Sequence, residues 1–364
     1  MSKPQGTYLT LSQFTITLVS SMLGIGITYL PNSVIKDARQ DGWMACIIGG
    51  LYPLYMIAVA SYMCKNFPND NILTLSKKFL GTFLGNILNI IFITFFIFIA
   101  TSEFAALSNA LRTYVTAYLK TYQVLLAALI PMAYAAYKGI KPIGRLNEII
   151  FYLTLILLLI PAAALVYGSI LNLMPFFGSG LLNILKASKE TTFFYTGIEV
   201  IFIIYPFLLD KQKLFKCSIV SIIFTAAVYT WITVLTIYYL GVDISPKYFW
   251  PVAALSEAVR VPVVNSFRYI FISLWSLLVF RCITLYYFSI SHGLSQLMKK
   301  VPGEKFTILL YPAIICISLL YGNPTTRRAY TDKLINIYVI FNLAYVSLIT
   351  VLIYFKRGGA GEKN

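Results

Sequence analysis

Gly24-Ile-Gly-Ile-Thr-Tyr-Leu-Pro31 and Tyr195-Thr-Gly-Ile-Glu199 decide how this 364-residue chain is read. Each stretch lies inside a long apolar run, and each carries residues that a continuous helix tolerates poorly. Glycine weakens a helix through its backbone freedom, and proline removes a backbone donor. Inside a bilayer such breaks survive only where the freed N–H and C=O groups are used. Working outward, the rest of the chain consists of runs of the same kind. Ten spans are expected, at roughly 9–35, 43–63, 81–111, 121–137, 144–171, 190–210, 215–241, 262–298, 305–321 and 333–355. Crossing a bilayer takes about 20 apolar residues. The two breaks fall in the first and sixth spans, the openings of two five-span halves, 9–171 and 190–355, within one integral domain covering 1–364. Interrupted segments at matching places point to a midplane binding site in an inverted-repeat transporter fold. The expected fold class is an all-α polytopic membrane protein.

Composition agrees. Hydrophobic residues make up 59% and charged residues 12% of the chain, against about 45–50% and about 25% in soluble domains. So few charges cannot cover a soluble surface, and long charge-free runs are not the short alternating strands of a membrane barrel. The net charge of +16 comes from Lys and Arg in the links between runs, without a basic stripe, so no nucleic-acid partner is expected. The link charges are in modest excess on the side that holds both termini, which points to cytoplasmic ends. The five cysteines form no CxxC pair, and no acid–base–nucleophile set or phosphate loop occurs. No enzyme activity, cofactor or metal is expected.

The breaks suggest a chemistry. An unwound turn exposes N–H groups at a new helix start, which suit a carboxylate, and carbonyls at the preceding helix end, which suit an ammonium. Gly24, Ile25, Gly26 and Ile27 in the first span, with Tyr195, Thr196 and Gly197 in the sixth, are therefore candidate ligand residues, and a zwitterionic amino acid fits both ends. These breaks should be non-helical and face each other across a cavity. Intramembrane charges are functional candidates by default. Three stand out: Glu103 in the third span, Glu199 in the sixth and Arg281 in the eighth. Arg281 is expected to pair with one of the two glutamates, in a gating or structural role, or to hold carbonyls opened by a break. Phe98, Ser102 and Thr284 complete the candidate pocket as neighbours on flanking spans.

The two breaks resemble the first-helix and sixth-helix signatures of amino acid–polyamine–organocation permeases. A wider likeness is to the B subunits of spore germinant receptors, the endospore germination permease family. It rests on Gln13 ahead of the first break, Gln40-Asp-Gly-Trp43, Asn66-Phe-Pro68, Leu80-Gly-x-x-Leu-Gly85 and Trp275. The resemblance implies a LeuT-type fold in the spore inner membrane, surrounded by lipid, acting with A and C subunits and sensing a small germinant such as an amino acid. A proton- or sodium-coupled amino acid transporter would use the same pocket.

Overall fold

The computed structural model describes residues 7–258, 267–298 and 301–361; the first residues of the expected eighth span, 262–266, lie outside the described residues. The chain enters through Leu9, whose N–H donates to Phe207 O at 2.8 Å while Leu209 N–H donates to Leu9 O at 3.0 Å. This short parallel bridge ties the entrance to the exit of the second broken segment. Helix α1 (Leu11–Met22) then starts on a reciprocal cap. Thr10 Oγ1 accepts from Gln13 N–H, and Gln13 Oε1 accepts from Thr10 N–H, both at 3.3 Å. Thr-x-x-Gln is the pattern that satisfies two orphan donors at once.

Both expected breaks are present. Helix α1 stops at Met22, residues 23–25 are non-helical, and α2 (Gly26–Ala38) resumes with Pro31 inside it. After α3 (Gly42–Gly49), α4 (Leu51–Asn66), α5 (Ile72–Tyr114), α6 (Thr121–Tyr137) and α7 (Ile140–Leu159), the second break follows α8 (Leu181–Phe194). There Gly197 adopts φ +105°, a left-handed conformation that favours glycine. A 3-10 turn (Ile198–Val200) and the short α9 (Ile201–Ile204) continue the segment. The remaining helices are α10 (Leu214–Ile244), α11 (Pro251–Leu255), α12 (Arg268–Leu297), α13 (Gly303–Leu320) and α14 (Pro324–Gly361). Helix α12 packs on α5, α7, α13, α6 and α1, while α8 packs on α2 and α3.

Among the described residues, seven helical runs are long and apolar enough to cross a membrane by length and composition. The expected spans outside that set are the broken sixth and α6 with its 17 residues, while the part of the first span after its break is joined to the second in the run Gly26–Asn66. The flanks suit lipid. Ile149, Tyr152, Leu153, Ile156 and Leu159 form an exposed apolar face on α7, with Ile308 and Leu309 on α13 and Ile337 and Ile340 on α14. Apolar surface on this scale requires a covering phase.

Two sequence motifs find structural work. Gly81 takes φ +80° and folds the first turns of α5 back on the rest. A side chain at Gly85 would meet the backbone of Ser76 and Lys77 at 2.8–2.9 Å, so the Gly-x-x-x-Gly spacing closes a fold within the chain. Asn89 locks it, accepting from Ser76 Oγ at 2.8 Å and from the Tyr345 hydroxyl at 2.6 Å. The Gln40-Asp41 pair instead clasps the link between the two broken segments. Buried Asp41 accepts from Phe177 N–H at 2.8 Å, Ser179 N–H at 2.9 Å and Ser179 Oγ at 2.7 Å, and Gln40 donates to Pro175 O at 2.9 Å.

Candidate functional site

A cavity of about 60 Å³ lies where the two breaks meet. Its closed end is formed by Met22, Ile25, Gly26, Phe98 and Glu103, with Phe194 and Thr196 from the second break. It runs past Tyr29, Ser33, Ser102 and Arg327 toward half-buried Glu190 and exposed Asp332. Among the expected ligand residues, Ile25, Gly26, Phe98, Ser102 and Thr196 line this space, as does Glu103. Gly24, Ile27, Tyr195, Gly197 and Thr284 do not. Tyr195 turns away and donates to Cys46 O at 2.8 Å, and the Thr284 hydroxyl bonds its own helix at Phe280 O, 2.7 Å away. Gly24 lies directly under the Glu103 carboxylate, with no room for a Cβ.

The open backbone of the breaks is partly satisfied from within. Glu103 Oε2 accepts from Ile25 N–H at 3.3 Å, at the start of α2 where a ligand carboxylate was expected. The carbonyls at the end of α1 are also taken: Ser21 O accepts from the Tyr286 hydroxyl at 2.5 Å and Met22 O from the Tyr229 hydroxyl at 2.6 Å. Tyr229 also stands 3.0 Å from Phe194 O, so one hydroxyl from α10 bridges both breaks. In hydrocarbon an unpaired carbonyl is costly, and these scaffold tyrosines remove that cost. The sequence does not disclose this role, because helix periodicity marks a buried aromatic without showing what its hydroxyl reaches.

Glu199 is equally enclosed. Its carboxyl accepts from the Tyr52 hydroxyl, from Gly197 N–H at 2.7 Å and from Asn342 Nδ2 at 3.2 Å. It braces the second break against α4 and α14 instead of facing the cavity.

The expected ion pair is not formed. Among the described residues no ion pair joins Arg281 to Glu103 or Glu199. Arg281 is fully buried, donates from Nη1 to Asn147 O on α7 at 3.3 Å, and leaves Nε and Nη2 without a partner. The reason is rotational. Successive helix residues point about 100° apart, so Cys282, whose Sγ lies 3.7 Å from Ser21 O, faces the first break while Arg281 faces α7. No carboxylate would be stranded by its removal. Keeping an ionised group buried without a counter-charge costs several kcal/mol, a cost that an apolar side chain of similar length does not carry. Arg281→Met should therefore melt at or above the wild-type temperature in detergent. A clear drop would show that the guanidinium holds something the protein needs.

The arginine that does reach the cavity is Arg327, only 3% exposed, whose Nη1 donates to Ser102 Oγ at 3.0 Å. Sequence reading places it in a link, because the apolar run of the tenth span starts near residue 333. A signal was present: Asn323-Pro324 is a helix start, asparagine as cap and proline in the first turn. The structure shows that cap, with Thr326 N–H donating to Asn323 Oδ1 at 3.0 Å. Helix α14 thus begins ahead of its apolar run and carries Arg327 inward.

The pattern of the family described as Spore germination protein matches residues 8–327. The chain belongs to the spore germination protein family. Among its relatives, spore germination protein YndE of Bacillus subtilis (strain 168) is 25% identical over 355 residues, covering 96% of this chain and 98% of that one. Spore germination protein GerQB of Bacillus cereus is 20% identical over 303 residues, 83% of each chain. Spore germination protein B2 of Bacillus subtilis (strain 168) is 23% identical over 335 residues, covering 86% and 89%. The fold is that of a solved Na+-coupled sialic acid symporter in a substrate-bound outward-open state, with TM-score 0.65 and 11% identity over 96% of this chain and 79% of that one. This family member is thus a multi-pass, permease-like membrane protein of LeuT-type fold and not an enzyme.

Proposed function

We propose that this family member is the ligand-sensing subunit of a germinant receptor, taking a small zwitterionic germinant, an amino acid, into the cavity at the two breaks. In this reading it sits in the spore inner membrane with both termini cytoplasmic, as one integral domain of two five-span halves, and works beside A and C subunits. One observation supports it above the others: the breaks of both halves line one cavity that carries charged groups of both signs among apolar side chains. A ligand there touches α2 and α5 from one half and α8 and α14 from the other, so it favours one arrangement of the halves over another. Sensing requires no more than that preference.

The test is thermal stability of the purified protein in detergent across the standard amino acids. A ligand at about 100 times its Kd should add about 2.7 kcal/mol of stability. Gly26→Val should abolish most of that shift, because a Cβ at Gly26 stands 2.7 Å from the Phe194 ring and 3.2 Å from the Tyr229 hydroxyl. The added methyls either fill the cavity or displace that ring into it. No shift with any amino acid would refute the reading, whereas saturable uptake of labelled amino acid into liposomes would make coupled transport the primary activity.

A further inference from the structure

We propose that Arg327 takes the carboxylate of the bound ligand and Glu103 its ammonium group, so that side chains and not the opened backbone read the two charges. This rests on the amino acid reading above and adds the polarity and the residues. The backbone route is partly taken at both ends. The N–H of Ile25 already donates to Glu103, and the carbonyls of Ser21 and Met22 already accept from tyrosine hydroxyls. What remains for a zwitterion is the charge on the walls. Glu103 lies at the closed end, on an α5 turn shared with Ser102, and Arg327 is held to Ser102 by one of its five N–H donors. Among the described residues Arg327 has no carboxylate within ion-pair distance. Its neighbour Arg328 is differently engaged: it donates to Asn32 Oδ1 at 3.0 Å and Ser33 Oγ at 2.8 Å and lies 3.8 Å from Asp332. A nearly buried guanidinium with no direct ion-pair partner, facing a cavity that it shares with Glu103 and, toward the mouth, Glu190 and Asp332, is complementary to a carboxylate next to an ammonium. The planar fork of arginine suits such a carboxylate through two parallel hydrogen bonds.

The experiment takes the amino acid that most stabilises the wild-type protein, together with its carboxamide and its N-acetyl derivative, and measures half-maximal concentrations for the thermal shift. Wild type should prefer the free acid to the amide by about 10- to 100-fold, the range for one charge-assisted hydrogen bond. Arg327→Gln should erase that acid-over-amide preference while keeping discrimination against the N-acetyl derivative. Glu103→Gln should do the reverse. If Arg327→Gln does not accumulate, Arg327→Lys decides: as a point charge it should weaken the acid about tenfold and leave the amide unchanged. An Arg327 variant that retains the full acid-over-amide preference overturns the assignment while leaving the amino acid reading intact. A wild type that responds to no amino acid overturns both.

Discussion

Gly197→Ala should cost about 2–5 kcal/mol and sharply reduce the amount of protein in the membrane. Two penalties combine. Gly197 has φ +105°, and left-handed backbone costs a residue with a Cβ about 1–2 kcal/mol. The new methyl would also lie closer than 3.0 Å to both Ser21 O and the Tyr286 hydroxyl. It must push apart the hydrogen bond that closes the end of α1, and leaving such buried groups unpaired costs about 1–3 kcal/mol. Gly180→Ala is the control without a clash: nothing stands within 4 Å of the added carbon. At φ +79° and ψ 153° it carries a backbone penalty of its own, about 1–3 kcal/mol, and no steric one. Melting temperature and membrane yield should separate the two variants clearly. Equal losses would mean that the second break is not packed against the first.

Glu199→Ala should be comparably damaging and Glu199→Gln mild. Alanine orphans three donors at once, Tyr52, Asn342 and Gly197 N–H. At about 1–3 kcal/mol for each unmet buried group the sum reaches several kcal/mol. Glutamine keeps the shape and one carbonyl oxygen for Gly197. Its NH₂ then faces Tyr52 and Asn342, and Asn342 can answer by rotating its amide, since its Oδ1 has no partner in the native arrangement. Stability should fall by no more than about 1 kcal/mol, one net hydrogen bond. An alanine variant as stable as the glutamine variant would show that the carboxyl does not brace the break.

The two predictions draw on different levels of information. That the helices open near residues 24–26 and 196–198 was legible in the chain, because glycine's backbone freedom is a local property; the structure places the breaks at 23–25 and 195–197. Glu103 could be picked out as a cavity residue for a similar reason: an acid in an apolar run must find a partner nearby. The partner itself was not legible. Glu103 meets the N–H of Ile25, 78 residues away in the chain, and Glu199 meets Tyr52 and Asn342, more than 140 residues away on either side.

The contrast between Arg281 and Arg327 marks the boundary most clearly. Arg281 stands in the middle of an apolar run and so looks like the working cation; Arg327 stands among link charges and looks like a topology marker. Their roles are exchanged because a run of hydropathy fixes neither the rotation of a helix nor where it starts relative to its neighbours. One residue of rotation on α12 sends Cys282 toward the first break and Arg281 toward α7. Two turns of α14 ahead of its apolar run carry Arg327 onto Ser102. By itself, then, the sequence determined the class of the protein, the places where its helices open and its family, all of which depend on local composition and backbone chemistry. The tertiary structure alone decided which hydroxyls close the opened backbone and which charges face the cavity, because those depend on the packing of helices far apart in the chain.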